Sequence, residues 1–254
     1  MSDRIAERSS FSEFGKSDRV GVVIVSAGSS TRMTGLDKTL QRLGGTPMVG
    51  WSVSVFEKID VIDKVVVVVS NENIVSVSEI SKELAWSKVT DIVPGGSRRQ
   101  DSVRKGLEAL GDCDWVLVHD GARPLVTKEL ILRALDAAET TGAAAPGIPV
   151  KDTIKEVRSG IVAETLNREN LRVVQTPQAF RGSLLRDAHA NVADAVTDDA
   201  SMVEIRGAQV RLFEGDEQNI KITTRWDLLV AEASVADRSG RNQGISLDDK
   251  ALNQ

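Results

Sequence analysis

The chain has 254 residues, enough for one large α/β domain or two small ones, and its 41% hydrophobic content supports a substantial core. Its net charge of −5 argues against broad nucleic-acid binding, which needs a basic face. No apolar segment approaches the roughly 20 residues that span a bilayer, so no membrane partner is expected. The single cysteine, Cys113, excludes an intrachain disulfide and fits a cytoplasmic location.

Apolar runs typical of buried strands alternate with segments of helical periodicity along the chain. The predicted strands cover residues 20–25, 64–70, 89–93, 115–118, 143–150 and 210–213. The predicted helices cover residues 46–56, 74–86, 98–110, 128–140, 181–191, 198–205 and 225–236. This alternation predicts a three-layer, Rossmann-like α/β fold with a mostly parallel sheet. Residues 1–18 are interpreted as a mobile leader, 19–236 as the domain and 237–254 as a polar tail.

Residues 151–175 follow a different pattern from the rest of the chain. Short runs alternate apolar and polar residues on either side of Ser159 and Gly160, which is the signature of a β-hairpin. We therefore expect a hairpin arm that projects from the sheet.

The first strand ends in a run of small residues, Ser26 to Ser30, and two cations follow at Arg32 and Lys38. Small residues let backbone N–H groups close around a phosphate, and the carboxyl ends of parallel strands are where ligands bind in such folds. The run therefore suggests a nucleotide-phosphate loop. A plain solvated loop between strand and helix is the alternative.

Five motifs, in order, carry a resemblance to a known family. They are AGSSTRM at residues 27–33 with Lys38 after it, GGSRRQDSV at 95–103, VHDGARP at 118–124, TPQ at 176–178 and NIKIT at 219–223. Together they resemble the 2-C-methyl-D-erythritol 4-phosphate cytidylyltransferases of the non-mevalonate isoprenoid pathway, within the sugar-nucleotide nucleotidyltransferase superfamily. The resemblance covers about residues 20 to 236. It departs from the family at Ser30, where a second glycine is usual, and at Asp37, where proline is usual.

The resemblance implies transfer of CMP from CTP to a sugar-alcohol phosphate with release of pyrophosphate and with Mg²⁺ as cofactor. It also implies a homodimer in which each hairpin arm reaches into the partner's site. The residues carried over as catalytic are Arg32, Lys38, Arg168 and Lys221. Those carried over to the nucleotide are Ala27, Gly28, Ser29, Gly96, Ser102, Asp120, Ala122 and Arg123, and Asp120 is also the expected metal ligand. Those carried over to the acceptor are Thr153, Arg168 and Lys221.

Other polar residues are given no part in the site. His119 is interpreted as a packed structural histidine, and Arg98 and Arg99 as facing solvent or a dimer partner. Asp198 and Asp199 are interpreted as carboxylates at the start of a helix.

Two other functions remain open at this point. A cytidylyltransferase of the same fold acting on ribitol 5-phosphate would share several of the motifs, and alanine before Arg123 favours the methylerythritol enzyme only modestly. A non-catalytic nucleotide-binding homologue is the second alternative. Arguing against it is the joint presence of all five charged residues carried over to the site, Arg32, Lys38, Asp120, Arg168 and Lys221.

Overall fold

A computed structural model describes residues 18–28 and 39–242 of the chain. Its strands are β1 (Val20–Ser26), β2 (Arg42–Leu43), β3 (Thr46–Pro47), β4 (Lys64–Val69), β5 (Val89–Pro94), β6 (Trp115–Asp120), β7 (Ala143–Pro149), β8 (Lys155–Arg158), β9 (Ile161–Thr165), β10 (Arg172–Val174), β11 (Gln178–Arg181) and β12 (Arg211–Glu214). Its α-helices are α1 (Met48–Glu57), α2 (Ile74–Glu83), α3 (Arg99–Leu110), α4 (Lys128–Thr141), α5 (Gly182–Asn191), α6 (Asp199–Ile205) and α7 (Arg225–Asn242).

The central sheet has eight strands and is mostly parallel, as predicted. Seven of them follow the order β10-β7-β11-β6-β1-β4-β5, and β12 pairs with β7. Strands β6, β1, β4 and β5 run parallel to one another, whereas β11 lies antiparallel between β6 and β7. The carboxyl ends of four neighbouring strands therefore meet at one edge of the sheet.

Helices cover both faces of this sheet because its central strands are apolar on both sides. In β1, Val22 and Ile24 pack on the face that α1 and α4 cover, and Val23 packs on the opposite face under α3 and α5. Side chains of successive strand residues point to opposite faces, so an unbroken apolar run is what a doubly covered strand requires. The three-layer architecture follows directly from that run.

The hairpin predicted for the arm forms at the expected residues. Strands β8 and β9 pair antiparallel and are joined through Ser159 and Gly160. These two residues have φ angles of +50° and +80°, the left-handed conformation that two-residue hairpin turns need. The hairpin leaves Val157, Ile161 and Val162 exposed.

Some element boundaries differ from the predicted ones. Strands β10 and β11 were not predicted, because they are short and flank the Thr176–Pro177 pair rather than forming an apolar run. Helix α7 runs through Asn242, six residues past the predicted end of the domain. Apart from Asp18, the predicted leader lies outside the described residues, as does the tail beyond residue 242. Within the described ranges, no helix is long and apolar enough to cross a membrane.

Candidate active site

A cavity of about 490 Å³ opens at the carboxyl ends of β1, β5 and β6. The loop after β1 lines it with Ala27 and Gly28, and the loop after β5 with Gly96 and Ser97. Asp120, the last residue of β6, lies at its wall. The cavity therefore lies where the parallel sheet topology places ligands.

Two glycines let the loops around the cavity approach one another closely. A Cβ at Gly95 would lie 2.2 Å from the Cβ of Ala27, and a Cβ at Gly121 would lie 1.9 Å from the Ser26 hydroxyl oxygen. Such distances exclude any side chain, so these contacts require glycine. The loops after β1, β5 and β6 are thereby joined into one wall.

The loop after β5 is further fixed by the start of α3. The Ser102 hydroxyl accepts a hydrogen bond from the Gly96 N–H at 3.0 Å and donates one to the Arg98 carbonyl at 3.2 Å. Arg98 lies on the exposed rim, paired with Asp101 at 2.9 Å, in agreement with the solvent-facing role predicted for it. The backbone of Gly96 is therefore held in place beside the cavity.

A buried carboxylate with three cationic neighbours dominates the electrostatics of the cavity. Oδ1 of Asp120 accepts a hydrogen bond from Arg99 Nε at 3.1 Å, and Oδ2 pairs with Lys221 Nζ at 2.8 Å. Arg123 Nε is 4.0 Å from Oδ2. Burial alone would raise the pKa of Asp120, but Arg99 and Lys221 outweigh it and hold this pKa far below its usual range. The carboxylate is therefore ionised at any physiological pH.

The backbone of Asp120 is positioned by the neighbouring strand β11 and the residues that lead into it. Its N–H donates to the Thr176 hydroxyl at 3.0 Å, and the same hydroxyl lies 3.2 Å from His119 Nδ1. His119 is fully buried and packs on Phe56 with ring centroids 5.2 Å apart, so the structural role predicted for it is confirmed. Burial lowers the pKa of His119 to about 4, so the ring is neutral at pH 7.

Lys221 reaches the cavity because the segment before α7 docks against the loop after β6. The Ile222 N–H donates to the Ala122 carbonyl at 2.8 Å, and Arg123 Nη1 donates to the Asn219 carbonyl at 2.7 Å. The amide of Asn219 also donates to the Thr176 carbonyl at 2.8 Å. Motifs that are distant in the sequence thus converge around Asp120.

The residues predicted for the site fall into three groups. Those that line the cavity are Ala27, Gly28, Gly96, Ser102, Asp120, Ala122 and Lys221. Those that lie away from its lining are Arg123, Thr153 and Arg168. Those outside the described residues are Ser29, Arg32 and Lys38.

The three residues away from the lining have different environments. Arg123 is buried behind Asp120, whereas Thr153 is exposed at the base of the arm. Arg168 lies on a short 3₁₀ helix after the hairpin, exposed, with Nη1 donating to the Lys151 carbonyl at 2.8 Å. The arm residues of one chain therefore do not reach that chain's own cavity.

The prediction that Arg99 faces solvent or a dimer partner is wrong. Its guanidinium bridges the carboxylates of Asp120 and Asp199. Burial alone would lower the pKa of Arg99, but the two carboxylates outweigh it and raise this pKa. Asp198 and Asp199 do start α6, as predicted, but Asp199 is also linked to the cavity through Arg99. Two signals in the sequence could have identified Arg99. A carboxylate that ends a buried strand, as Asp120 does, needs cations nearby, and Arg99 follows closely after Gly96, which the motifs already place in the site.

The residues around Asp120 fit a magnesium ion that is held mainly by a bound substrate and water, with few protein ligands. Mg²⁺ usually takes one or two carboxylates, several waters and the phosphate oxygens of its substrate. Among the described residues, no group of three or more His, Cys, Asp and Glu side chains could hold a metal ion. Among the described residues that line the cavity, Asp120 is the one carboxylate, and it is buried and ionised, which suits a metal bound through a ligand rather than a closed protein cage.

Comparison with known proteins identifies the family. The family model described as 2-C-methyl-D-erythritol 4-phosphate cytidylyltransferase matches residues 20–237. The chain belongs to this family. A cytidylyltransferase of that name from Dehalococcoides mccartyi is 48% identical over 216 residues, which are 85% of this chain and 95% of the relative. One from Bacillus licheniformis is 42% identical over 229 residues, 88% of this chain and 98% of the relative.

Solved structures of the family have the same fold. The crystal structure of the cytidylyltransferase from Thermus thermophilus superposes with a TM-score of 0.71 at 34% identity, covering 84% of this chain and 98% of that one. That of a 4-diphosphocytidyl-2C-methyl-D-erythritol synthase from Anaerococcus prevotii gives 0.77 at 27% identity, covering 86% and 99%. The chain is thus a cytidylyltransferase with the fold of the solved family members.

Proposed function

We propose that this chain transfers CMP from CTP to 2-C-methyl-D-erythritol 4-phosphate, forming 4-diphosphocytidyl-2-C-methyl-D-erythritol and pyrophosphate in isoprenoid precursor biosynthesis. The observation that carries the proposal is the buried Asp120 carboxylate, held between Arg99 and Lys221 at the wall of a cavity lined by the glycine-containing loops after β1, β5 and β6. Family membership supports the choice of nucleotide and acceptor.

The chemistry requires charge stabilisation more than proton transfer. A phosphate oxygen of the acceptor bonds to the α-phosphorus of CTP, and the bond from that phosphorus to the β-phosphate oxygen breaks to release pyrophosphate. A phosphate monoester has a second pKa near 6, so the nucleophilic dianion already predominates at neutral pH. The enzyme must therefore bring two anionic groups together and stabilise the charge that develops between them.

The nucleotide is assigned to the loops that line the cavity. The backbones of Ala27, Gly28 and Ser29 bind its phosphates, and Gly96 and Ser102 bind the nucleoside. Arg32 and Lys38 follow the first loop and act as transition-state stabilisers, on the strength of their motif positions alone. Ala122 completes the wall beside Asp120 and accepts the hydrogen bond that holds the Lys221 segment, and Arg123, assigned to the nucleotide by its motif position, lies buried behind Asp120.

Asp120 is assigned to a magnesium ion and Lys221 to the acceptor phosphate. When bound, Mg²⁺ would neutralise part of the triphosphate charge. Asp120 and Lys221 are now paired with each other, so each must exchange this partner for a ligand group on binding. Lys221 is half-exposed and is therefore able to turn towards a phosphate in the cavity.

The remaining acceptor contacts are assigned to a second copy of the chain. Thr153 and Arg168 lie on the arm, away from the lining of their own chain's cavity. The arm also exposes the apolar side chains of Val157, Ile161 and Val162, which a partner would cover. A homodimer in which the arms exchange sites accounts for both features.

The experiment that tests this function measures pyrophosphate release from CTP, UTP, ATP and GTP, each with methylerythritol phosphate and with ribitol phosphate. We expect rapid release only with CTP and methylerythritol phosphate in the presence of Mg²⁺. Release with CTP and ribitol phosphate alone would contradict the assigned acceptor. No release from any combination would contradict the catalytic role.

A further inference from the structure

Asp199 is a buried carboxylate at the start of α6, and it is not needed to cap that helix. It is the first residue of α6, and capping of that helix is supplied by Asp198, whose carboxylate accepts the Ser201 N–H at 3.0 Å. Asp199 is fully buried, and its two oxygens have separate partners: Arg99 Nη1 at 2.6 Å and His189 Nε2 at 3.0 Å. Burial of a carboxylate is costly unless its partners are fixed, so these contacts call for another explanation.

Arg99 connects this buried carboxylate to the cavity. Its Nε donates to Asp120 while its Nη1 donates to Asp199, and its Nη2 is buried with no hydrogen-bond partner among residues 18–28 and 39–242. The guanidinium is planar and rigid, so a contact that fixes one edge also fixes the donors on the others. The position of Asp199 therefore determines how Arg99 approaches Asp120.

The start of α6 is itself tied to the sheet. Gln178 pairs in register with Val118 of β6, accepts a hydrogen bond from the Ala200 N–H at 3.0 Å and donates one to Asp198 Oδ2 at 2.7 Å. These bonds flank Asp199 on both sides in the sequence. Asp199 is thus anchored to the sheet that carries Asp120, rather than to a free helix end.

We propose that Asp199 is a positioning residue for the cytidylyl transfer, holding Arg99 in a fixed orientation against Asp120, and that His189 holds Asp199 in turn. The inference rests on the proposed function. Without the Asp199 charge, Arg99 can pair with Asp120 through two donors, and the Asp120 carboxylate becomes less available to the ligand. Small displacements of groups around the reacting phosphate lower kcat more than they weaken substrate binding.

The test compares two neighbouring carboxylates, of which Asp199 is fully buried against Arg99 and Asp198 is partly exposed at the cap of α6. Asp199→Asn removes a charge that contacts Arg99 and His189, whereas Asp198→Asn removes a charge whose hydrogen-bond partners, within residues 18–28 and 39–242, are Ser201 and Gln178. Pyrophosphate release from CTP and methylerythritol phosphate is measured well below the melting temperature of each variant. We expect kcat to fall about tenfold in Asp199→Asn, with both KM values within about twofold of wild type, and to stay near wild type in Asp198→Asn.

A double-mutant cycle with Arg99→Lys separates positioning from general stability. Lysine has a single donor nitrogen on a flexible stem and cannot hold the two carboxylates at the fixed spacing of Nε and Nη1, so Asp199→Asn should lower kcat little further in that background. A tenfold loss of kcat for Asp199→Asn in both backgrounds would overturn the inference. So would equal kcat values in Asp199→Asn and Asp198→Asn.

His189 provides a second route should Asp199→Asn not fold. His189→Leu removes the donor to Asp199 and should lower kcat about threefold, while His189→Gln keeps an N–H donor and should restore it. Equal kcat in His189→Leu and wild type would overturn the inference. An inactive wild-type enzyme would overturn the proposed function itself, and so the two failures are distinguishable.

Discussion

The cavity and the arm use charged residues in opposite ways. Around the cavity, Asp120, Arg99 and Asp199 are largely buried and bonded to one another at fixed distances. On the arm, the ion pair between Arg158 and Glu156, at 2.8 Å, is exposed to solvent. Exposed pairs contribute little to stability, whereas buried ones hold their geometry because separation is costly.

The difference separates the two halves of the proposed site. The cavity is organised within one chain, since strands β1, β5 and β6 and helix α3 fix its walls. The arm presents Thr153 and Arg168 to solvent, since both side chains are exposed in the part of the chain that the structure describes. Variants in the cavity should therefore affect the chemical step, and variants in the arm should affect acceptor binding.

The largest effect is expected for Asp120→Asn. The substitution keeps the size of the side chain but removes the charge that balances Arg99 and Lys221. We expect kcat to fall about 100-fold or more, as for the loss of a major electrostatic contact at a reacting phosphate. Steady-state pyrophosphate release at saturating substrates measures it.

A structural carboxylate at the opposite end of the sheet is the matched control. Asp63 accepts the Val20 N–H at 2.8 Å, far along β1 from the cavity. Asp63→Asn should lower the melting temperature while keeping kcat within about twofold of wild type. Comparable kcat losses in the two variants would contradict the placement of Asp120 in the reaction.

The next largest effect is expected for Arg168→Ala on the arm. Loss of a charged hydrogen bond to the acceptor phosphate should raise KM for the sugar phosphate about fiftyfold and leave KM for CTP nearly unchanged. Arg158→Ala, which removes another exposed arm arginine, is the control and should change neither value. A larger change in KM for CTP than for the acceptor would show that the arm residue is wrongly assigned.

Much of the cavity could be predicted from the sequence because its motifs follow strands. Residues 20–25 and 115–118 are unbroken apolar segments, so the carboxyl ends of these strands, and hence the loops after them, could be placed at one edge of the sheet. The arm was predictable for a different reason. Its alternation and its Ser159–Gly160 turn are local signals that need no tertiary context.

The network behind Asp120 could not be predicted in the same way. Arg99 and Asp199 are 100 positions apart, and each has an ordinary local explanation as the first residue of a helix. Their contact depends on β11, a four-residue strand inserted antiparallel between β6 and β7, which brings Gln178 and the start of α6 beside α3. Periodicity carries no information about such a pairing.

A further difference between cavity and arm concerns pH, because a fully buried histidine, His119, directly precedes Asp120 in β6. The unfolded chain binds a proton at His119 near pH 6.5, whereas the folded chain does so only near pH 4. The free energy of unfolding therefore does not change through His119 above pH 6.5, and it decreases as the pH falls from 6.5 towards 4. We expect protonation of His119 in the unfolded chain to lower the free energy of unfolding by about 2 kcal/mol between pH 7.5 and pH 5.0.

Urea unfolding at these two pH values measures the effect. His119→Gln keeps a polar side chain of similar size that does not titrate. The decrease in its free energy of unfolding between pH 7.5 and 5.0 should therefore be smaller than that of wild type by about 2 kcal/mol. Arg158→Ala, on the arm, should retain the wild-type pH dependence. An unchanged pH dependence in His119→Gln would mean that the ring is not held neutral by burial.

Mixing two variants, each impaired in a different part of the site, tests the division between cavity and arm most directly, provided that the acceptor is kept below its wild-type KM so that Arg168→Ala alone has little activity. Asp120→Asn damages the cavity and Arg168→Ala damages the arm, and in a homodimer with exchanged arms a mixed dimer has one site with both parts intact. The two variants are unfolded, mixed in equal amounts and refolded together. Half of the dimers are then mixed and each has one intact site of two, so about one quarter of the wild-type activity should be restored. No recovery at any mixing ratio would show that each chain uses its own arm, and Thr153 and Arg168 would then have to reach their own cavity by a movement of the arm.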